Sequence, residues 1–81
     1  MRVQGVTFNL RKITGTQMGK FFAAARANDV EGVAEGLTHV VETCPAEWGD
    51  PSKPETYLNQ SYFDVLEPLV LDFSDERAGK N

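Results

Sequence analysis

Two groups of residues in this chain have the side chains from which catalytic and metal sites are built. His39 and Cys44 lie five positions apart, and a cysteine with a histidine can form a nucleophile–base pair or part of a metal site. Asp64, Glu67 and Asp72 form the second group, and neighbouring carboxylates can act as general acid and base. Both groups therefore have to be judged by their surroundings.

Those surroundings argue against catalysis and against metal binding. The chain has one cysteine and one histidine, whereas a structural zinc site takes about four such ligands. Glu42 and Glu47 flank Cys44, and negative charge disfavours the thiolate that a nucleophile needs. The three carboxylates fall on the polar face of a predicted helix, where solvation accounts for them. We predict a non-enzyme with no catalytic residue, no cofactor and no metal.

The length and composition predict one small soluble domain over residues 1–81. A chain this short buries only about 60% of its unfolded surface, and a single cysteine cannot form an intramolecular disulfide. Partner chains are then the expected source of extra stability. No apolar run reaches the roughly 20 residues that span a bilayer, and the first residues lack the apolar segment of a signal peptide. We therefore expect a cytoplasmic location.

Charge is distributed very unevenly along the sequence. Residues 1–28 carry five basic residues and no acid, whereas residues 29–81 carry three basic and twelve acidic residues, so +5 and −9 sum to −4. Such asymmetry favours either a fit of a basic face to an acidic face within the chain or head-to-tail contacts between copies. Five dispersed positive charges beside so many acids do not favour nucleic acid as a partner.

A central helix is predicted over residues 29–44. Apolar residues recur there at helical spacing: Val30, Val33, Ala34, Leu37, Val40, Val41 and Cys44. Gly32 and Gly36 lie four residues apart, and two glycines in a helix predict the close approach of another backbone. The acidic back of this helix and its glycine side are both candidate contacts for a second copy.

Further helices are predicted on either side. Thr14 and Gln17 have capping-box spacing and begin a helix over residues 14–27, which an Asn28-Asp29 turn joins to the central helix as an antiparallel hairpin. Residues 45–54 are predicted to form a loop, residues 55–73 a helical region that is kinked near Pro68 or broken there into two short pieces, and residues 74–81 a mobile tail.

The N-terminal residues 1–13 predict a strand or hairpin. Val6, Phe8 and Leu10 alternate with polar residues and would line one face of a strand of about five to seven residues, with Val3 in a short partner strand. No later segment predicts a second strand, so this one must lie on a helix, pair with another chain, or do both. The predicted fold class is mainly α with a short N-terminal strand or hairpin (α+β), with three to four helices built on the helix hairpin.

Two aromatic residues each have two interpretations. Phe22 either packs in the core beside Phe21 or faces a partner, and Trp48 either covers one end of the core or binds a partner chain. We predict that copies associate through the strand edge and through basic and acidic faces. The residues predicted for protein interaction are Val6, Phe8, Leu10, Arg11, Lys12, Phe22 and Trp48.

The order of these segments resembles a known family. A basic strand, VTFNLRKIT, precedes the helix pair FFAAARANDVEGVAEGLTHVVETCP, and a helix of the type FDVLEPLVLDF closes the chain. Over roughly Val6 to Phe73 this layout resembles the small tail assembly chaperones of long-tailed bacteriophages. The resemblance implies a mostly helical protein of the host cytoplasm that self-associates, binds the tape-measure protein and helps to recruit tail-tube subunits. Pro68 departs from the continuous last helix that the family pattern implies.

Two other classes of function share the size and acidity of this chain. One is a small phage-encoded inhibitor of a host defence complex, which an acidic surface imitating nucleic acid would favour. The other is a structural adaptor retained in the virion. Both are non-enzymatic and act through protein–protein contacts, so the partner distinguishes them from a chaperone.

Overall fold

The computed structural model describes residues 3–79, which form a mostly helical unit with a two-stranded antiparallel sheet. In chain order the elements are β1 (Thr7–Phe8), α1 (Gly15–Ala27), α2 (Val30–Val40), β2 (Val41–Thr43), α3 (Pro54–Leu58) and α4 (Glu67–Arg77). A 3-10 turn, Ala46–Trp48, precedes α3, and a π-helical turn, Tyr62–Leu66, runs directly into α4. The predicted fold class, mainly α with a short N-terminal β element, is confirmed.

The helix hairpin forms because its ends are capped by their own residues. The Thr14 hydroxyl accepts from the Gln17 amide at 3.2 Å, and the Gln17 side chain accepts from the Thr14 amide at 3.0 Å, so the predicted capping box is confirmed. Asn28 ends α1 in the left-handed conformation with φ 57°, and the Asp29 carboxylate then caps α2 through the Gly32 amide. The two caps reverse the chain within two residues.

The two glycines of α2 allow α1 to approach closely. A Cβ atom at Gly32 would lie 2.6 Å from the Cβ of Ala24, and one at Gly36 would overlap the ring of Phe21. The backbone approach predicted from Gly32 and Gly36 therefore occurs, and it is made by α1 of the same chain. The side of α2 that was expected to face a second copy is therefore occupied, at these two glycines, by Ala24 and Phe21 of α1.

The predicted central helix is too long at its C-terminal end. The helix α2 ends at Val40, and the next three residues, Val41–Thr43, form the strand β2. This strand pairs antiparallel with β1. Thr7 lies opposite Thr43 with the two hydroxyl oxygens 2.7 Å apart. Val41 is buried in this strand as it would have been in a helix, so burial alone cannot distinguish the two. The prediction of a first strand of about five to seven residues is wrong, because β1 has two residues. The prediction that it pairs with a strand containing Val3 is also wrong, because its partner is β2.

Aromatic side chains join the N-terminal, central and C-terminal segments in one core. The Phe73 ring lies 5.2 Å from that of Phe21, 5.8 Å from that of Phe8 and 6.2 Å from that of Phe22. These distances suit tilted and edge-on aromatic packing. On the far side of the core Tyr57 is fully buried, and its hydroxyl donates to the Pro51 carbonyl at 2.6 Å.

The C-terminal helical region is divided, since α3 ends at Leu58 and a π-helical turn lies directly before α4. The irregularity predicted near Pro68 is present as this π-helical turn, and Pro68 lies in the first turn of α4, where a missing N–H costs least. In addition α4 continues to Arg77, so the mobile tail predicted over residues 74–81 is wrong for 74–77, and residues 80–81 lie outside the described range. The Arg77 guanidinium lies 5.0 Å from the Phe22 ring centroid and helps to hold this last turn.

The contact at Gly36 predicts a large effect of adding a single methyl group. Gly36→Ala should lower the free energy of unfolding by about 2 kcal/mol, because overpacking against Phe21 exceeds the roughly 1 kcal/mol that alanine gains in helix propensity. Gly19→Ala is the matched control, since nothing lies within 4 Å of its added Cβ, and it should be stabilising by about 0.5–1 kcal/mol. Urea unfolding measures both, and equal effects at the two sites would contradict this packing.

The buried Tyr57 hydroxyl predicts alkaline sensitivity. Burial, followed by the negative charges of Cys44 and Asp50, raises the pKa of Tyr57 above its ordinary value of 10.0. Above about pH 10 the unfolded chain therefore releases a proton that the folded chain retains, and stability falls by up to about 1.4 kcal/mol per pH unit.

Tyr57→Phe should remove this part of the pH dependence and cost about 1 kcal/mol at neutral pH, since the Pro51 carbonyl loses its donor. The control is Tyr62→Phe, whose hydroxyl lies at the surface 3.5 Å from Asn28 Oδ1. Urea unfolding between about pH 8 and pH 11.5 measures the slope. A slope that is unchanged in Tyr57→Phe would contradict the assignment.

Candidate protein-interaction surfaces

The structure places the candidate nucleophile where its thiol is held protonated. The Cys44 Sγ donates to the Gly49 carbonyl at 3.5 Å. Burial raises the pKa of the Cys44 thiol, and the negative charge of Asp50 raises it further. The sequence pointed to Glu42 and Glu47 as the neighbouring charges, whereas the acid that acts on the thiol is Asp50.

The three carboxylates do not form a cluster on one solvated face. Asp64 and Glu67 are exposed, whereas Asp72 is only 3% exposed and accepts from the backbone amide of Val3 at 2.6 Å. The placement of Asp72 on a polar face is therefore wrong, because its carboxylate ties the N-terminal segment to α4. Among residues 3–79 no group of three or more histidine, cysteine or acidic side chains is arranged to hold a metal ion.

The strand residues predicted to contact another copy face inward. Val6 is 4% exposed, and Phe8 and Leu10 are half-buried against the same core. The reason is β2, which pairs with β1 and turns its apolar face towards α4. Only Arg11 and Lys12, in the turn that follows, project into solvent.

The two aromatic residues with alternative interpretations both contact the core. Phe22 is half-buried, with its ring 5.9 Å from that of Phe21 and 5.0 Å from the Arg77 guanidinium carbon. Trp48 is half-buried in the 3-10 turn and packs against the same core. Of the seven residues predicted for interaction, the structure leaves the basic pair Arg11 and Lys12 most accessible, and it does not bring the seven together on one surface.

A groove runs between α1 and α2 on the outer face of the hairpin and has a volume of about 650 Å³. Its floor is the Phe21 ring with the small residues Ala24 and Gly36. We refer to it as the hairpin groove, lined by Thr16, Gln17, Lys20, Phe21, Ala23, Ala24, Ala27, Asp29, Gly32, Glu35, Gly36 and His39. Lys20 lies on the α1 side of the groove, and Asp29 and Glu35 lie on the α2 side. The rim of the groove therefore carries charges of both signs around an apolar floor.

A second surface carries large apolar side chains in water. Phe63 is 75% exposed and Leu71 is 59% exposed, and the residues exposed between and beside them are acidic. We refer to this face as the α4 ridge, formed by Phe63, Asp64, Glu67, Leu71 and Asp75. Isolated exposed apolar residues are common, but two large ones in adjoining helical turns, with exposed acids beside them, are typical of a contact surface.

Neither surface was identified from the sequence, although signals for both were present. For the second surface, the signal was that Phe63 and Leu71 fall outside the apolar series that recurs at helical spacing near the end of the chain, at Tyr62, Leu66, Leu69, Val70 and Phe73. For the groove, the signal was the combination of Gly32 and Gly36 with the alanines of α1, since small residues on two helices mark the faces along which the helices approach closely.

The environment of Cys44 predicts a slow thiol. Alkylation by iodoacetamide at about pH 7.5 should be slower in the folded chain than in the urea-unfolded chain, because the raised pKa depletes the thiolate. The folded-chain rate should continue to increase above pH 9.0, the ordinary thiol value. Mass spectrometry of the labelled fraction over time measures both rates, and equal rates in the two states would refute the assignment.

Comparison of the chain with protein-family models, with curated proteins and with solved structures found no match. Within residues 3–79 no helix has the length and apolar character needed to cross a membrane. The hairpin groove and the α4 ridge are therefore the features on which a functional proposal rests.

Proposed function

We propose that this chain is a tail assembly chaperone of a long-tailed bacteriophage, which binds the tape-measure protein and assists tail-tube assembly in the host cytoplasm. It acts by protein–protein contact without catalysis. The observation that supports a binding role is the hairpin groove, with its floor of Phe21, Ala24 and Gly36. The resemblance of the segment order to such chaperones supplies the identity of the client.

The shape of the groove suits a helical client. Small residues at Ala23, Ala24 and Gly32 allow a third helix to approach the hairpin closely, as ridges of one helix pack into the grooves of others. A helix laid there would bury its apolar stripe on the floor and present polar residues to Lys20 on one side and Glu35 on the other. The expected ligand is thus an amphipathic helix that carries charges of both signs.

The length of the groove limits how much client one copy can cover. Helix α1 has 13 residues and is therefore about 20 Å long, which corresponds to about four turns of a bound helix. A long helical client would then need many copies arranged along it. A chaperone that coats an extended chain would bind it with many copies side by side. Contacts between neighbouring copies would then contribute to the same function.

Filling the groove should abolish client binding. In co-expression with the tail proteins, wild-type chain should bring down the tape-measure protein, and Ala23→Trp should reduce the recovered amount at least tenfold, because the indole occupies the exposed wall of the groove. Ala46→Trp is the matched control, since Ala46 is exposed in the 3-10 turn outside the groove, and it should bind as the wild type does.

The same experiment separates the other functions. Recovery of a host defence complex without any tail protein would contradict the chaperone function and support that of an inhibitor. Detection of the chain in purified virions would make it a structural adaptor. Equal recovery of the tape-measure protein by the Ala23→Trp and Ala46→Trp variants would show that the client does not use the hairpin groove.

A further inference from the structure

A cleft smaller than the hairpin groove lies between the turn that joins α1 to α2 and the π-helical turn before α4. Its volume is about 370 Å³, near the lower end of the roughly 300–1,000 Å³ of small-ligand sites, so it suits one side chain rather than a whole helix. We refer to it as the aromatic cleft, lined by Asn28, Val30, Tyr62, Phe63 and Glu67. None of the residues predicted for protein interaction lines it.

Two aromatic rings form adjacent walls of the aromatic cleft. The centroids of the Tyr62 and Phe63 rings are 5.2 Å apart, and the ring planes stand at 87°, so the rings meet edge to face. Tyr62 is half-buried, and its hydroxyl donates to Asn28 Oδ1 at 3.5 Å, which links this ring to the hairpin turn. Phe63 is 75% exposed. The cleft therefore offers a large area of aromatic surface to a ligand.

Two oxygen acceptors accompany the rings. Glu67 follows Phe63 by four residues, about one helical turn, so both side chains reach the same cleft, and Glu67 is exposed. Asn28 Oδ1 accepts from Tyr62 and has a second lone pair for another donor. The left-handed backbone of Asn28, with φ 57°, places this side chain at the end of α1. Aromatic surface, a carboxylate and an amide oxygen together are suited to a cation that also donates hydrogen bonds.

The charges around the cleft favour a cation as well. The first turn of α2 borders the cleft, and a helix N-terminus carries a partial positive charge. Asp29 caps that end and Glu31 lies in the first turn, so two carboxylates outweigh the partial charge. Arg26 lies close in sequence at the end of α1, but it does not line the cleft. The five lining residues include one acid and no base.

We propose that the aromatic cleft binds the guanidinium group of an arginine on a partner protein. A guanidinium is planar and stacks on aromatic rings, and its parallel N–H donors match a carboxylate. On the Phe63 ring it donates to the Glu67 carboxylate and to Asn28 Oδ1. The chain uses the same kind of stacking within its own fold, where the Arg77 guanidinium carbon lies 5.0 Å from the Phe22 ring centroid. A lysine ammonium fits less well, because it is more strongly hydrated and lacks the planar fork.

The position of the cleft has a consequence for client binding, which rests on the function proposed above. Ala27 and Asp29 line the hairpin groove, whereas Asn28 and Val30 line the aromatic cleft, so the two recesses border the same turn. A client whose helix occupies the groove and whose chain continues past this turn would place an arginine in the cleft. The cleft would then select clients that carry an arginine at one end of the bound helix. Arginine binding itself requires no client.

Titration of the isotope-labelled chain with N-acetylarginine amide, followed by NMR, tests the proposal. Signals of Tyr62, Phe63 and the Asn28 side-chain amide should shift, with a dissociation constant of about 10 mM for a single side chain. The δ-methylene protons of the arginine should move upfield, because they lie over the Phe63 ring. N-acetylcitrulline amide, which has the same shape without the charge, should bind at least about fivefold more weakly. N-acetyllysine amide should bind at least about twofold more weakly than the arginine compound.

Matched variants separate the cleft from the general attraction of a cation to an acidic chain. Glu67→Gln removes the carboxylate from the cleft and should weaken arginine binding about fivefold. Asp75→Asn removes the same charge from an exposed position of α4 outside the cleft, and it should bind as the wild type does. Phe63→Leu retains an apolar side chain without the aromatic ring and should weaken binding about threefold. Circular dichroism establishes that the variants are folded.

Equal binding of the arginine compound with its citrulline or lysine counterpart would overturn the proposal, as would shifts confined to residues outside the cleft. Equal effects of Glu67→Gln and Asp75→Asn would also contradict it. If the cleft signals of the wild type shift when the chain alone is concentrated, and those of Glu67→Gln do not, an arginine of a second copy takes the place assigned to a partner protein. Loss of the tape-measure interaction would leave all these results unchanged, so the two proposals fail separately.

Discussion

The close contact of α1 with α2 is the constraint on which the rest of this structure depends. Gly36 has no side chain, so the ring of Phe21 lies directly on the α2 backbone, and Gly32 does the same for Ala24. The Phe21 ring then contacts that of Phe73, which brings α4 into the core. A chain this small buries a small share of its surface, and a single cysteine cannot form an intramolecular disulfide. The fold therefore depends on dense packing of side chains at this contact. The hairpin groove is the outer side of the same contact.

The sequence predicted the hairpin because its signals are local. Thr14 with Gln17, the Asn28-Asp29 turn and the apolar stripe from Val30 each act within a few residues, where propensity and capping decide the outcome. The end of α2 was not predictable in this way. Val40 and Val41 satisfy both a helical stripe and a buried strand, and the choice is made by β1, which lies more than thirty residues earlier in the chain.

That one choice explains why the predicted interaction surface was misplaced. With no partner strand predicted, the strand of Val6 and Phe8 was expected to lie on a helix, to pair with another chain, or to do both. Instead Val41–Thr43 pairs with that strand, and the Asp72 carboxylate accepts from the Val3 amide. Both contacts join residues that are distant in sequence, so no periodicity records them. The exposed positions Arg11 and Lys12 were easier to predict, because charged residues in a turn remain in water whichever partner the strand takes.

The π-helical turn before α4 changes the relative direction of the side chains on either side of it. In a regular α-helix, residues eight apart are offset by roughly 80° around the axis, so Phe63 and Leu71 would lie on different faces. The Glu67 amide instead bonds the Tyr62 carbonyl five residues back, and the wider turn reduces that offset. Pro68 makes this inexpensive, since it has no N–H that an α-helical bond to Asp64 would require. The irregular turn before Pro68 thus leaves Phe63 and Leu71 with a smaller angular offset than a regular α-helix would give them.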